Sequence, residues 1–305
     1  MFSTIKESFD QHTAHKLLSS KVSVLHNKHL GEKTIQVIIL FNFLSIKMQV
    51  SDYSIFDREF YKLNIKRCVK NFKKHDFLVN EVSENVAERI REFSKRFDNA
   101  LIYGLFDRSV LDEKIDIKRG FPVYEFTQTY NQGECIVFDE EYNTCIEDSY
   151  DLIISNLSLS FVNDLPGALI QYKKILKKGG VFIATLFGGD TLKELKDVLI
   201  KTDSKFYGGS RPHIIPFIDI KDGAALLQRA GFTQAISDSF NIIGRYSSIF
   251  NLLRDIKGMG QSNCLSARSK IILPKNYFSE AEEIYKKDYN LEATFEVITI
   301  TGFKA

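Results

Sequence analysis

The fold of this chain is decided by residues 150–189, which read YDLIISNLSLSFVNDLPGALIQYKKILKKGGVFIATLFGG. Two apolar, β-prone runs, residues 152–154 and 181–187, predict buried strands near the two ends of this stretch. Between them, apolar residues recur at helical spacing: Leu165, Ala168, Leu169, Tyr172 and Leu176. The stretch therefore predicts a βαβ unit with a right-handed crossover. Both strands are apolar almost throughout, which is typical of a parallel sheet covered on both faces.

The predicted helix carries start and stop signals. Asn163 or Asp164 is placed to cap its first turn. Pro166 lies in that turn, where the N–H group that proline lacks would have no partner within the helix. Lysines at the far end suit the negative pole of the helix. Gly179 and Gly180 follow these lysines and predict the end of the helix.

The remainder of the chain from residue 56 onward alternates between strand and helix patterns. Further strands are predicted at residues 100–103, 123–126, 136–138, 233–243 and 294–302. Further helices are predicted at residues 56–72, 77–97, 222–230, 246–256 and 280–289. This alternation predicts an α/β fold with a Rossmann-like doubly wound sheet, which binds ligands at the carboxyl ends of its strands.

Composition excludes some classes of protein and leaves others open. The net charge of +2, without a basic block, argues against nucleic-acid binding. The four cysteines are scattered without paired spacing, which favours reduced thiols. No cluster of His, Cys and carboxylate residues has metal-ligand spacing, so no metal site is predicted.

The first 47 residues differ in character from the rest. Residues 1–47 lack clear periodicity and are interpreted as an N-terminal extension before a domain at 48–305, with an ordinary helical arm as the alternative. Their most apolar run, residues 37–46, is about half the ~20 residues that a spanning helix needs. No membrane span is therefore predicted.

Several motifs together resemble a known family. They are DEE at residues 139–141, the stretch quoted above with DTLKEL after it, GGSRPHIIPF at 208–217, LLQRAGF at 226–232, GMGQSN at 258–263 and ATFEVITITGF at 293–303. Their order resembles the class I S-adenosylmethionine-dependent methyltransferase superfamily, and within it the complex I assembly factor 5 (arginine hydroxylase) family. That family is itself similar to the malonyl carrier-protein methyltransferase of biotin synthesis. The resemblance implies seven strands with the last antiparallel, helical N-terminal additions, and lid or substrate insertions near 190–218 and 245–290.

The resemblance also implies S-adenosylmethionine as cofactor and suggests which residues bind it. The candidates at the strand ends are Gly104, Glu125, Asp139, Glu140, Ser155 and Asn156. Glu125 is placed to accept from ribose hydroxyls, and Asp139 to accept from the adenine amino group. The alternatives are a surface position for Glu125, a turn cap for Asp139, and plain strand termination for Ser155 and Asn156.

The cofactor loop departs from the family pattern. The segment at residues 101–110 reads LIYGLFDRSV, in which Gly104 matches the first glycine of a glycine-rich loop. Ile102 stands where the family has an acidic residue, and Phe106 and Arg108 stand where it has further glycines. Because glycine allows close approach to a ligand and unusual backbone angles, this loop predicts weakened affinity for the cofactor.

Three residues are candidates for the substrate side: Asp190, Arg211 and His213. Asp190 stands at a helix start, where capping alone explains it. Arg211 either binds a carboxylate or lies in solvent, and His213 either faces the cleft or is a structural histidine. The motif at residues 258–263 is interpreted as a lid over the site, with a helix-breaking connection as the alternative.

Three functions follow from these observations. The first is an S-adenosylmethionine-using enzyme of the assembly-factor type, for which the resemblance implies a respiratory complex I subunit as protein substrate. The second is a methyltransferase acting on a malonyl group on an acyl carrier protein. The third is a non-catalytic scaffold with a degenerate cofactor loop. The absence of an Arg-rich leader favours a bacterial cytoplasm, with the mitochondrial matrix side expected if the chain is organellar.

Titration calorimetry with S-adenosylmethionine separates the enzymes from the scaffold. We expect measurable but weakened binding, because bulky side chains replace two loop glycines. Tight stoichiometric binding would contradict the scaffold, whereas no binding at millimolar ligand would contradict both enzymes.

Overall fold

The computed structural model describes residues 54–104, 110, 120–122, 140–141 and 146–305. The described residues of the compact unit Ile55–Ala305 form a six-stranded sheet in the order β2-β1-β3-β4-β6-β5. The strands are β1 Ala100–Gly104, β2 Gly120–Pro122, β3 Tyr150–Asn156, β4 Leu176–Phe187, β5 Thr233–Arg245 and β6 Glu292–Phe303. The α/β sheet predicted from the sequence is thus confirmed.

Strand directions follow the expected pattern. β2, β1, β3 and β4 are mutually parallel, whereas β6 runs antiparallel to both of its neighbours, β4 and β5. The prediction of an antiparallel last strand is therefore confirmed. The strands predicted at 123–126 and 136–138 lie outside the described residues, as does the segment 1–47, so the seven-strand count and the boundary near residue 48 stay predictions.

Seven helices are described. They are α1 Arg58–Cys68, α2 Phe77–Arg91, α3 Leu165–Ile175, α4 Lys193–Tyr207, α5 Ile220–Arg229, α6 Ile249–Gly258 and α7 Tyr277–Tyr289, with a 3₁₀ helix at Val69–Lys74 after α1. The predicted insertion at 190–218 contains α4, and that at 245–290 contains α6 and α7. α2 ends earlier than predicted, and Phe93 and Phe97 pack edge to face beyond it, with ring centroids 5.9 Å apart.

The start of α3 agrees with its sequence signals, and Asp164 is its cap. The Asp164 carboxylate accepts a hydrogen bond from the Gly167 N–H at 2.8 Å. Asn163 has a different role, since its side chain bonds both the N–H and the carbonyl of Phe56, at 2.8 and 3.1 Å. One candidate thus starts the helix, and the other fastens the segment before α1 to this turn.

The predicted end of α3 is wrong. The helix stops at Ile175, and residues 176–180 extend β4 instead. The reason is tertiary: the Gly179 N–H donates to the Lys304 carbonyl at 2.7 Å, and the Lys304 N–H donates to the Gly180 carbonyl at 3.0 Å. Because the end of β6 satisfies these backbone groups, the lysine-rich segment is extended rather than helical.

The central strands bury both faces. On one face, four aromatic rings stack in a row across β1, α3, β4 and the turn before β5. They are Tyr103, Tyr172, Phe182 and Phe232, with successive centroid distances of 5.1, 5.6 and 5.4 Å. On the other face, Ile102, Leu152, Ile154 and Ile183 pack together with Val86 and Ile90 of α2. Helices therefore cover both faces, as the apolar strands predict.

A third cluster forms the helical layer above the strand ends. It joins α1 and α2 to α4, α6 and α7, and it includes Val82, Leu195, Leu252 and Tyr277, all of them buried. The additions before the first strand and those late in the chain thus pack on each other. Within the described ranges, no helix is both long enough and apolar enough to cross a membrane.

Phe182→Ala should destabilise the fold by about 3–5 kcal/mol, because it removes a fully buried ring from the aromatic row. Urea denaturation followed by circular dichroism measures the loss. Ile243→Ala is the control, since Ile243 is 60% exposed and should change stability by about 0.5 kcal/mol or less. Equal effects of the two substitutions would contradict the central role of the row.

Candidate functional site

Three neighbouring strands end side by side at the carboxyl edge of the sheet. Gly104 pairs with Asn156, and Asn156 pairs with Thr185. The buried Asn156 amide donates to the Ser83 hydroxyl at 3.3 Å, and its oxygen accepts from the Thr185 hydroxyl at 2.5 Å. The Asn156 side chain is therefore engaged inside the protein, where it ties α2 and β4 to the end of β3.

Gly104 occupies a position that no other residue fits. Its φ of +83° lies in the left-handed region, and a Cβ added there would lie 2.2 Å from the Asn156 carbonyl oxygen. Both observations require glycine. β1 thus ends at a left-handed glycine, the conformation expected at the start of a glycine-type cofactor loop, at the edge where such sheets bind ligands.

Ile102 belongs to the core. It is 3% exposed and packs with Leu152, Ile154 and Ile183 on the face covered by α2. A carboxylate in this environment would be buried among apolar groups, which is costly without a partner. Four predicted cofactor-loop or cofactor-binding residues lie outside the described residues: Phe106, Arg108, Glu125 and Asp139.

Glu140, the second residue of the DEE motif, is held by an ion pair with Arg58 of α1. Glu140 is almost completely buried, and its carboxylate forms an ion pair with Arg58. Arg58 also donates to the Phe161 carbonyl at 2.9 Å, while the Tyr172 hydroxyl donates to the Glu140 carbonyl at 2.7 Å. Glu140 therefore connects α1 to the aromatic row, and its charge is matched within the protein.

Ser155, the last predicted residue at this edge, is fully buried. Its hydroxyl lies 3.1 Å from that of Ser158 in the turn after β3. The neighbouring Tyr103 hydroxyl is also buried, and burial raises the pKa of this phenol well above its ordinary value. Both groups are neutral at physiological pH.

A cavity of about 200 Å³ lies beyond the end of β4, and its wall includes His213, one of the candidates predicted for the substrate side. The segment after α4 returns to this strand, since Gly188 forms a bridge with Ile218 and the rings of Phe187 and Phe217 are 5.6 Å apart. The wall is mostly apolar: Leu192, Leu195, Leu199, Ile214, Ile215, Phe217, Leu253, Ile256, Leu273 and Phe278. Its polar members are His213, Gln261, Ser262, Asn263 and Tyr277.

A fully buried carboxylate, Asp203, organises the polar side of this cavity. It accepts from the Tyr277 hydroxyl at 2.7 Å and from the Arg211 backbone N–H at 2.9 Å, and it contacts the His213 Nε2 at 2.8 Å. Burial and the bond to Asp203 raise the pKa of the Tyr277 phenol. Asp203 thereby holds the segment after α4 and the start of α7 in one arrangement.

The structure separates the three substrate-side candidates. His213 lines the cavity, whereas the Arg211 guanidinium stacks over the Tyr207 ring, with its central carbon 3.4 Å from the centroid. Asp190 is exposed and pairs with Lys193 at 2.8 Å, before α4 begins. Only His213 therefore faces this cavity, and the roles of the other two in substrate binding stay predictions.

Sequence reasoning missed Asp203, Tyr277 and Gln261. Asp203 lies in a polar helical stretch whose pattern is that of an ordinary solvated face, and Tyr277 is far from it along the chain. Gln261 did belong to a recognised motif, GMGQSN, but nothing in the motif marks the glutamine. The one usable signal in the sequence was the presence of both family motifs, GMGQSN and GGSRPHIIPF. The structure shows that residues of both motifs line this cavity.

The glycines of GMGQSN position Gln261. A Cβ on Gly258 would lie 2.2 Å from the His75 ring, and one on Gly260, where φ is +75°, would lie 2.8 Å from Ile65. His75 itself contacts the Asp255 carboxylate at 2.6 Å. The loop therefore packs directly on α1 and on the residue that follows the 3₁₀ helix. This close contact places Gln261 at the cavity.

The described part of the chain holds no alternative centre. It contains no group of three or more His, Cys, Asp or Glu side chains able to hold a metal ion. Its two cysteines, Cys68 and Cys264, are free and buried, and burial raises the pKa of each thiol to about 12. Neither is therefore a thiolate nucleophile at neutral pH.

The strand order, the antiparallel β6 and the strand-edge site define an α/β protein of methyltransferase fold. The family described as "Methyltransferase domain" matches residues 124–184. The mouse protein "Arginine-hydroxylase NDUFAF5, mitochondrial" is 35% identical over 273 residues, which is 82% of this chain and 78% of that protein. Its human counterpart is 35% identical over 272 residues, 82% of this chain and 77% of that protein.

The chain belongs to the arginine-hydroxylase NDUFAF5 family. A second group is related over a shorter region. The malonyl-[acyl-carrier protein] O-methyltransferase of Nitrosospira multiformis is 34% identical over 157 residues, 50% of this chain and 49% of that protein. These identities confirm the resemblance to the assembly factor 5 family, and the more distant similarity to the malonyl carrier-protein methyltransferases.

Gly104→Ala should destabilise the protein by about 2–4 kcal/mol, because left-handed strain adds to a collision with the Asn156 carbonyl. Gly179→Ala is a matched control, since Gly179 has a similar φ of +72° but open space around its Cα. Chemical denaturation of both variants isolates the collision. If both variants lower the free energy of unfolding equally, the collision with the Asn156 carbonyl adds nothing to the backbone strain. The close approach of β1 to β3 would then not be what requires glycine at position 104.

Proposed function

We propose that this protein is an S-adenosylmethionine-using enzyme that modifies an arginine of a respiratory complex I subunit during assembly. The observation that carries the proposal is the identity to arginine hydroxylases along most of both chains. The relatives' printed name includes the word "mitochondrial", which supports the mitochondrial matrix side, whereas the bacterial cytoplasm expected from the sequence stays a prediction.

The described strand edge fits an adenosyl cofactor through its backbone. Gly104 turns the chain in the left-handed region beside Asn156, at the end of the central strand. Gly104, Glu125 and Asp139 are proposed to hold the cofactor, while the buried Glu140–Arg58 pair supports the edge. When bound, S-adenosylmethionine would supply a methyl group activated on a sulfonium. The hydroxylation of an arginine C–H bond would in addition need dioxygen and a two-electron reductant, with one oxygen atom entering the product and the other leaving as water.

Ile102 bears on how tightly that cofactor is held. Since Ile102 packs in the core, this position offers no carboxylate to the methionine ammonium group. The strand edge therefore supports a site for the nucleoside with a weaker hold on the amino acid portion.

The methylation of a malonyl group on an acyl carrier protein is a second candidate, favoured by the identity over half of each chain. A malonyl carboxylate calls for a cationic side chain in the substrate site. Among the described residues that line the cavity, none is a lysine or an arginine. This wall therefore favours the arginine-modifying enzyme.

Peptide mass spectrometry tests the proposal in cells that lack this chain and in cells that carry it. We expect one arginine peptide of a complex I subunit to gain the mass of one oxygen only when the chain is present. Complementation with Asp203→Asn should strongly reduce that product, because the substitution removes the charge that organises the cavity. Asp222→Asn, on the exposed face of α5, is the matched control.

The same experiment separates the alternatives. A methyl ester on a malonyl carrier protein, without an oxidised arginine, would establish the second candidate. Loss of complex I assembly without either product would establish a scaffold.

A further inference from the structure

We propose that the cavity beyond β4 receives the arginine side chain of the protein substrate, with Gln261 and His213 holding its guanidinium. This assignment rests on the proposed function and adds to it a location and a binding chemistry. It makes Gln261 a specificity-determining residue, and it makes Asp203 and Tyr277 positioning residues.

The size and the walls of the cavity fit such a side chain. The volume is about 200 Å³, larger than the engineered cavities of about 150 Å³ that take up benzene. A guanidinium is a planar group smaller than benzene, and the remaining space suits its three-methylene stem. Leucine, isoleucine and phenylalanine side chains from α4, the segment after it, α6 and α7 form the apolar walls for that stem.

Gln261 supplies the observation that points to a ligand. Both polar atoms of its side-chain amide are buried, and neither has a hydrogen-bond partner among the residues that the structure describes. A buried polar group without a partner is destabilising. A guanidinium has only donors, so it completes the hydrogen bond of the amide oxygen and gains affinity here, while the amide nitrogen is left to donate to a backbone carbonyl of the substrate peptide.

His213 and Asp203 supply the electrostatic part. When the His213 Nε2–H donates to the buried Asp203 carboxylate, the Nδ1 of the neutral ring is an acceptor. The Asp203 carboxylate contacts the Nε2 side of this ring at 2.8 Å. The Arg211 guanidinium is stacked over Tyr207 and does not line the wall. The polar end of the cavity thus offers hydrogen-bond acceptors next to the Asp203 carboxylate, and these suit the donors of a guanidinium. The Arg211 cation is close enough to act on Tyr277 and offsets part of the Asp203 charge.

Tyr277 and the GMGQSN loop hold these groups in place. The Tyr277 hydroxyl donates to the second oxygen of Asp203 and fixes the orientation of the carboxylate. Gly258 and Gly260 bring the loop against His75 and Ile65. Gln261 therefore comes from a different segment of the chain from His213, but both residues line the same cavity. Two distant motifs therefore meet around one binding position.

Binding of a small probe tests the assignment without catalysis. The probe is N-acetyl-L-arginine amide, titrated into the full chain and followed by NMR line broadening and chemical shift. We expect saturable binding, with blocked lysine and blocked citrulline bound more weakly. Gln261→Leu should lower the affinity about tenfold, since it removes a hydrogen bond to a charged group.

Two further variants make the result decisive. Gln261→Glu adds a carboxylate at the same position and should tighten arginine binding while weakening the binding of monomethyl malonate. Gln228→Leu makes the same substitution as Gln261→Leu on the exposed face of α5, and it should bind the probe like the unaltered protein. Thermal unfolding by circular dichroism verifies that each variant is folded.

The assignment is overturned if Gln261→Leu and Gln228→Leu bind blocked arginine equally, or if malonate binds and arginine does not. Its failure is distinguishable from that of the proposed function. The probe experiment needs neither cofactor nor reaction, whereas the proposed function depends on the oxidised arginine peptide. An oxidised peptide together with no effect of Gln261 would place the substrate arginine elsewhere in the same enzyme.

Discussion

The close contact between Gly104 and the Asn156 carbonyl is the constraint on which this structure depends. It brings the ends of β1 and β3 together, and the hydrogen bonds of Asn156 to Thr185 and Ser83 extend the contact to β4 and α2. A left-handed glycine is the one residue that allows this approach. The strand edge and the helical layer above it are consequently fixed relative to each other.

A second constraint, the buried Asp203 carboxylate, organises the polar wall of the cavity beyond β4. Removing a carboxylate from water is costly unless several donors satisfy it. Here a phenol, a backbone N–H and an imidazole approach it from three positions along the chain. The same set of bonds that offsets the cost of burial also shapes one wall of the cavity, so the stability of the fold and the shape of the cavity depend on the same group.

Sequence patterns predicted the fold well because its central strands are buried on both faces. Apolar runs such as 152–154 and 181–187, with capping and turn residues between them, report that burial directly. The sequence patterns gave a wrong prediction at residues 176–180. Lysines and glycines indicated the end of a helix there, but hydrogen bonds to the end of β6 make this segment part of β4. The patterns also gave no sign of Asp203 or Tyr277, because a polar residue on a helix has the same pattern whether it faces solvent or a cavity.

The sequence by itself determined the βαβ unit, the antiparallel last strand through its family resemblance, and the membership of the chain in the NDUFAF5 family. Those features depend on local periodicity and on motifs that are contiguous along the chain. The tertiary structure decided which polar groups meet, namely His213 with Asp203 and Tyr277, with Gln261 in the same cavity wall. These groups come from separate segments, and only packing between elements brings such residues within hydrogen-bonding distance.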